Sequence, residues 1–197
     1  MASPSTAIAN NKAPKRGRRS LFLLALLCAA PVIASYFLYF AWKPAGTRNY
    51  GELIAPAVVP EIAAADPSRP DIAGLKGKWV LLSVDGAECG DACRTKLWQM
   101  RQVRLTQGKE MDRIARAWLV DDGGVPGQPL MGEYQGTVLL SPSIAPRLSE
   151  MLKDRSPRDH LFLIDPLGNL MMRFPKDPDM TKVRKDLGHL LQVSRIG

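Results

Sequence analysis

Residues 84–98 read VDGAECGDACRTKLW and carry two cysteines, Cys89 and Cys93, four positions apart. The preceding apolar run KWVLLSVDG, residues 78–86, is typical of a strand that is buried on both faces. Beyond Cys89, apolar residues recur at spacings of four and three, which is the period of one helix face. The stretch therefore predicts a buried strand, a turn and a helix, with the cysteine pair at their junction.

Further stretches towards the C-terminus continue this alternation. They predict a second strand closed by an acidic turn, a second helix, a strand–turn–strand unit with Asp-Pro-Leu-Gly in the turn, and an amphipathic closing helix. In chain order, the stretches are RIARAWLVDDG (113–123), SPSIAPRLSEMLK (141–153), HLFLIDPLGNLMMRF (160–174) and DPDMTKVRKDLGHLLQVS (177–194). The order predicts an α/β fold of the thioredoxin-like arrangement, a mixed sheet flanked by helices whose last strands form an antiparallel hairpin.

An uncharged apolar run, SLFLLALLCAAPVIASYFLYFAW, extends from Ser20 to Trp42. About 20 apolar residues cross the hydrocarbon core of a bilayer, so the run predicts a single transmembrane helix. A cleaved signal peptide is the competing interpretation. Its apolar core is normally only about 7–15 residues long and ends at a small-residue cleavage site, whereas this run continues past the weak candidate VIAS.

The positive charge of the chain is concentrated beside that run. The first nineteen residues contain no acidic residue and supply +5 of the formal net charge of +8, through Lys12, Lys15, Arg16, Arg18 and Arg19. A basic flank next to an apolar segment indicates membrane orientation rather than nucleic-acid binding. We therefore expect the N-terminus in the cytoplasm of a bacterial inner-membrane protein, the C-terminal part in the periplasm, and no nucleic-acid partner.

These features divide the chain into four segments. We predict a basic cytoplasmic tail at 1–19, a transmembrane helix at 20–42, a Pro/Ala-rich linker at 43–70 and a thioredoxin-like periplasmic domain at 71–197.

The Cys89/Cys93 pair admits three interpretations. A purely structural disulfide would close a very short loop and so constrain the unfolded chain little. Two sulfurs on one face at a helix N-terminus can also exchange with a disulfide, or bind a soft ion such as Cu(I). We expect the sulfurs to meet at an exposed helix tip in an oxidising compartment; the pair alone leaves redox and metal chemistry open.

The cysteine motif and three other stretches of the sequence resemble the Sco/SenC family. The residues that carry the resemblance are CGDAC after an apolar strand, NYGELI in the preceding segment, GLKGKWVLLSV and LFLIDPLGNLMMRF. Family members have a C-P-D-x-C-P motif and serve assembly of the copper centre of cytochrome c oxidase. The resemblance implies that Cys89 and Cys93 act in thiol–disulfide exchange, Cu(I) delivery or both, on an oxidase subunit or another copper or thiol protein. In the thiol–disulfide exchange interpretation, the chain would be a thiol–disulfide oxidoreductase.

Two departures from the family pattern concern the site. Gly90 and Arg94 stand where the family has prolines. The histidine ligand of the family would fall on Pro157, whereas His160 stands three residues closer to the strand, an offset that turns a side chain to the opposite face of extended structure. His160 is a third metal ligand in one interpretation and a histidine hydrogen-bonded to backbone at the start of a strand in the other.

Two further interpretations concern the function of the whole chain and the acidic run after the second predicted strand. The chain can instead be a non-catalytic, membrane-tethered assembly or scaffold protein with vestigial cysteines. The acidic run from Asp121 to Gly124 is explained by a solvated turn after a strand more simply than by a metal site.

Overall fold

The computed structural model describes residues 16–41, 49–64 and 70–196. Contacts within the chain divide it into two units, Met1–Gly46 and Thr47–Gly197.

The first unit contributes one helix, α1, which extends from Arg16 to Ala41 and contains Pro31. Its segment Arg19–Phe40 is long and apolar enough to cross a membrane. The predicted transmembrane run therefore forms a helix, and this helix begins within the segment expected to be a tail. Residues 1–15 and Trp42 lie outside the described residues.

The second unit contains six strands and six helices among the described residues, joined by short turns and 3-10 segments. Its elements are β1 (Glu52–Val58), α2 (Pro60–Ala63), α3 (Pro70–Ala73), β2 (Trp79–Asp85), α4 (Asp91–Leu105), β3 (Ile114–Val120), α5 (Gln128–Glu133), β4 (Thr137–Leu140), α6 (Pro146–Leu152), β5 (Leu161–Ile164), β6 (Asn169–Arg173) and α7 (Met180–Val193).

The strands form one mixed sheet in the order β1-β6-β5-β2-β3-β4. β2, β3 and β4 are parallel to one another, whereas β5 is antiparallel to β2, and β6 and β1 continue the antiparallel side. This is a thioredoxin-like fold, and it confirms the fold class predicted from the sequence. The predicted hairpin is the β5–β6 pair, and its turn is closed by a hydrogen bond from the Gly168 N–H to the Asp165 carbonyl.

Both faces of the sheet are covered, which explains why β2 is mainly apolar and why all of its residues are buried, Ser83 and Asp85 included. One core cluster contains side chains from α4, α7 and both cysteines, and the other contains side chains from α2, α3 and α6. Successive strand residues alternate between the two faces, so Leu161 and Leu163 lie in the first cluster, whereas Phe162 and Ile164 lie in the second.

The structure differs from the sequence prediction most clearly in the Pro/Ala-rich segment 43–70. Residues 52–58 of this segment are the edge strand β1, paired with β6, and Ile62 of α2 is buried. Proline is compatible with a strand only at an edge or an irregularity, and Pro56 lies where the register of β1 shifts, between Leu53 and Ala57. The folded unit therefore begins well before the expected boundary at residue 71.

Smaller differences concern α5 and β4, which the sequence reasoning did not identify. α6 begins at Pro146, later than the predicted start at residue 141.

Candidate functional site: a buried disulfide at the start of α4

Cys89 and Cys93 form a disulfide, with an S–S distance of 1.99 Å and a Cα–Cα distance of 5.1 Å. β2 ends at Asp85 and α4 begins at Asp91, so the bond joins the connecting loop, residues 86–90, to the first turn of the helix. The structure thus brings the two sulfurs together at the predicted junction of strand and helix.

The conformation of this loop follows from its local hydrogen bonds. The Cys89 N–H donates to the Gly86 carbonyl at 3.2 Å, and the Arg94 N–H donates to the Gly90 carbonyl at 3.0 Å as the first helical bond of α4. Cys89 has a φ of 42°, in the left-handed region that residues with a Cβ rarely occupy. The turn therefore holds Cys89 in a strained conformation directly before the helix.

Both cysteines are buried, which differs from the exposed helix tip expected from the sequence. The exposed fraction is 4% for Cys89 and 3% for Cys93. Cys93 lies on the apolar face of α4 with Leu97, and the disulfide belongs to the core cluster that also contains Leu130 and Tyr134. Tyr134, which follows α5, donates its hydroxyl to the Arg94 carbonyl at 3.3 Å. Because α5 was not recognised in the sequence, this cover over the helix start was not anticipated.

His160 directly precedes β5, and its side chain does not share a potential metal site with the two cysteine sulfurs. Its Nδ1 is 2.8 Å from the Phe174 carbonyl oxygen, and its ring packs edge-on against Phe162, a residue of the opposite core cluster. This is the arrangement of the alternative interpretation, a strand-start histidine bonded to backbone. Within the described parts of the chain, no three His, Cys, Asp or Glu side chains are placed to share a metal ion.

A buried ion pair lies at the other end of the same loop. Lys96 Nζ is 2.7 Å from Asp85 Oδ2 and donates to the main-chain carbonyls of Val84 and Arg158. Burial raises the pKa of Asp85 above its ordinary value, although Lys96 and Arg158 act in the opposite direction. The sequence signal for this pair was a lysine on the apolar face of α4, three residues after Cys93, which our sequence reasoning missed.

The acidic turn after β3 contacts this region through both of its carboxylates. Asp121 accepts two hydrogen bonds from Arg158, at 2.8 and 2.7 Å, and this pairing raises the pKa of the guanidinium. Asp122 accepts the N–H groups of Gly124 and Ala87, each at 2.9 Å, and these bonds lower the pKa of its carboxyl. The turn is therefore hydrogen-bonded to the cysteine loop and to Arg158, rather than simply solvated.

An open groove of about 370 Å³ runs along the outer side of the disulfide loop. One side contains residues that flank the cysteines, and the other contains residues of the β3–α5 connection, of which Val125 is 87% exposed. The lining residues are Ala87, Glu88, Arg94, Val125, Gly127, Pro129 and Leu130.

Comparison with known protein families identifies the folded unit. Residues 79–194 match the family described as "Transmembrane-like, thioredoxin-like, C-terminal domain", and this match spans more than half of the chain. The chain belongs to this family. No curated protein matches the chain.

Several solved structures resemble this transmembrane-like, thioredoxin-like protein. Yeast Sco1 with copper bound is 13% identical, with a TM-score of 0.50, over 76% of this chain and 96% of that one. A SCO1/SenC family lipoprotein from Bacillus anthracis is 14% identical, with a TM-score of 0.47, over 75% and 97%. The thioredoxin domain of a thiol-disulfide oxidoreductase from Bacteroides vulgatus is 18% identical, with a TM-score of 0.40, over 59% and 81%. At these identities, the similarity to yeast Sco1 concerns the fold.

Proposed function

We propose that this chain is a membrane-anchored thiol–disulfide exchange protein that assists assembly of the copper centre of cytochrome c oxidase. The observation that carries the proposal is the Cys89–Cys93 disulfide between a strained loop and the first turn of α4. The fold shared with yeast Sco1, a protein solved with copper bound, supports the same class of role. The client would be an oxidase subunit or another copper or thiol protein.

The reduced pair would pass two electrons to a client disulfide. The Cys89 thiolate attacks one client sulfur to form a mixed disulfide, and the other client sulfur leaves and takes up a proton. Cys93 then loses its proton and attacks Cys89, which re-forms the Cys89–Cys93 bond and releases the second client thiol. The N-terminal end of α4 and the nearby Arg94 favour a negative charge on the sulfurs, whereas Glu88, Asp91 and burial of the pair act against it.

Burial of the sulfurs makes movement of the loop part of this reaction. An attacking thiolate needs direct access to a sulfur atom, and both cysteines are almost fully covered. Residues 86–90 would therefore open before exchange, and the adjacent groove, with Glu88 and Arg94 in its wall, would receive the client segment.

Cu(I) delivery is the second chemistry of the same residues, with the ion as cargo. Reduced Cys89 and Cys93 would supply two soft thiolate ligands, which suit Cu(I). His160 would complete a three-ligand set only if its ring left the Phe174 carbonyl and turned towards the other face of the sheet. The residues as arranged therefore fit a two-sulfur site, and we favour electron transfer over stable copper binding.

The cysteine pair can be tested in cells that depend on this chain for oxidase assembly. A Cys89→Ser/Cys93→Ser variant should lose this support, whereas the matched control Cys28→Ser, which changes the free cysteine of α1, should retain it. Full oxidase assembly with the double variant would refute the proposed chemistry.

A scaffold with vestigial cysteines is the second candidate function, and burial of the disulfide favours it. In that case the double variant would support assembly as well as the parent, while disruption of the groove, for example by Val125→Asp, would abolish it. The exchange proposal instead expects failure of both variants. The two functions thus differ in the outcome for the cysteine variant.

We also propose that α1 anchors the chain in a bacterial inner membrane, with the tail in the cytoplasm and the thioredoxin-like domain in the periplasm. The basic residues before the apolar run support this orientation. A reporter enzyme that needs disulfides for activity, fused to the C-terminus, should be active in the periplasm. The same reporter fused ahead of α1 should be inactive.

A further inference from the structure

Asp122 connects the turn after β3 to the loop that carries Cys89. Each of its carboxylate oxygens accepts one main-chain N–H at 2.9 Å, Oδ2 from Ala87 in the cysteine loop and Oδ1 from Gly124 in its own turn. Ala87 precedes Cys89 by two residues, so the carboxylate fixes the loop immediately before the strained cysteine.

At positions 86 and 124, the space around this contact admits only glycine. A Cβ added at Gly86 would lie 2.5 Å from Asp122 Oδ2, and one added at Gly124 would lie 2.6 Å from the Ala87 Cβ. Real Cβ atoms essentially never approach other atoms so closely. The two segments are therefore packed directly against each other around the carboxylate.

The conformation of Cys89 requires such support. A left-handed φ at a residue with a Cβ is strained and persists only where the surroundings determine it. In the oxidised protein, the disulfide itself supplies part of that constraint. In the dithiol that bond is gone, and the remaining constraints on the loop include the turn bond from the Cys89 N–H to Gly86, the Asp122 contact and packing against the core.

We propose that Asp122 is a positioning residue that keeps the Cys89 thiol close to Cys93 in the dithiol form and thereby stabilises the disulfide relative to the dithiol. The equilibrium between the two forms depends on the effective concentration of one thiol at the other, which falls when the loop gains freedom. The inference rests on the proposed function for its biological meaning, but the equilibrium is a property of the chain alone.

Exchange with glutathione measures the equilibrium between the disulfide and the dithiol form of the Cys89/Cys93 pair. Two glutathione thiols give up two electrons and two protons, the Cys89–Cys93 bond breaks, and one glutathione disulfide and two protein thiols form. The full chain in detergent micelles, with Cys28→Ala so that only this pair reacts, is equilibrated at a series of glutathione ratios and alkylated. The fraction of dithiol gives the equilibrium constant. If glutathione leaves the parent oxidised, dithiothreitol buffers replace it for the parent and every variant, so that all constants refer to one couple.

We expect Asp122→Ala to lower the constant for disulfide formation by about three- to tenfold, the size expected for loss of one or two hydrogen bonds. Asp122→Asn keeps one acceptor oxygen and should lie between the parent and Asp122→Ala. The matched control is Asp121→Asn, which changes the neighbouring carboxylate, bonded to Arg158 rather than to the cysteine loop, and should leave the constant unchanged.

Unfolding of the oxidised and reduced forms separates positioning from general stability. Positioning predicts that Asp122→Ala lowers the free energy of unfolding more in the oxidised form than in the reduced form. Equal losses in both forms, with an unchanged glutathione constant, would overturn the proposal. An equal shift in the Asp121→Asn control would do the same. Failure of the proposed function has a different signature, since oxidase assembly would then persist without the cysteines whatever the value of this constant.

Discussion

Lys96 Nζ lies 2.7 Å from Asp85 Oδ2, and the two side chains are only 9% and 12% exposed. The pair joins the first half of α4 to the end of β2, the two elements between which the disulfide lies. Lys96 also donates to the Arg158 carbonyl in the turn that precedes β5. One ammonium group therefore holds together three segments around the candidate site.

Removal of this ammonium should destabilise the fold strongly. Lys96→Met leaves the Asp85 carboxyl buried without its partner, and loss of one partner of a buried pair typically costs about 3–5 kcal/mol. Denaturant unfolding of the full chain in micelles measures the loss. The matched control is Lys176→Met, because Lys176 pairs with Asp159 at 3.2 Å on the surface and should cost less than about 1 kcal/mol. Similar losses in the two variants would contradict the assigned role.

The free energy of unfolding should depend on pH through the protonation of Asp85. Because its pKa is raised above the ordinary value of 3.8, the folded protein binds this proton at pH values where the unfolded chain has released it. The contribution of Asp85 to the free energy of unfolding is therefore largest below this window and falls as pH rises through it. The difference in this free energy between wild type and Asp85→Asn should fall from pH 3.8 upwards and then level off. A difference that rises with pH would mean that Lys96 outweighs burial.

The site illustrates what local sequence determines. The strand, the turn and the helix around Cys89 and Cys93 follow from residue periods and turn residues that lie within about twenty positions, and the structure has all three. The β5–β6 hairpin was equally predictable, since Asp165 and Gly168 form its turn through local hydrogen bonds.

The features that sequence reasoning missed depend on distant contacts. Burial of the disulfide involves Tyr134, and fixation of its loop involves Asp122, residues that only the folded sheet brings close. The sequence did not predict β1, because Pro56 and its neighbours have the composition of a spacer. The strand is stabilised by pairing with β6, which lies far away in the chain. Composition reports local preference, whereas these positions are decided by tertiary packing.

The segment containing α2 should behave as part of the fold rather than as a linker. Gly168 has a φ of 86° in the β5–β6 turn, and a Cβ there would lie 2.7 Å from the Ala63 Cβ. Gly168→Ala should therefore lower the free energy of unfolding by about 2 kcal/mol, through strain and displacement of α2. Gly74→Ala is the matched control, since no atom lies within 4 Å of the added Cβ, and it should change stability by less than about 0.5 kcal/mol. Equal effects would indicate that the contact between α2 and the hairpin does not contribute to stability.

The position of His160 leads to a prediction for copper. Its Nδ1 lies 2.8 Å from the Phe174 carbonyl oxygen and its ring packs on Phe162, whereas Cys89 and Cys93 lie in the other core cluster. His160→Ala should therefore leave the Cu(I) affinity of the reduced chain unchanged. Cys89→Ser removes a thiolate ligand and should lower this affinity by at least the roughly 10- to 100-fold that loss of an outer-shell partner causes at metal sites.

Competition with a coloured Cu(I) chelator under anaerobic conditions measures both affinities, with Cys28→Ala in every variant so that the free thiol of α1 does not contribute. A large loss of affinity with His160→Ala would show that the ring leaves Phe174 and reaches the ion. The three-ligand site implied by the resemblance to the Sco/SenC family would then form on metal binding, and copper delivery would replace electron transfer as the favoured chemistry of the pair.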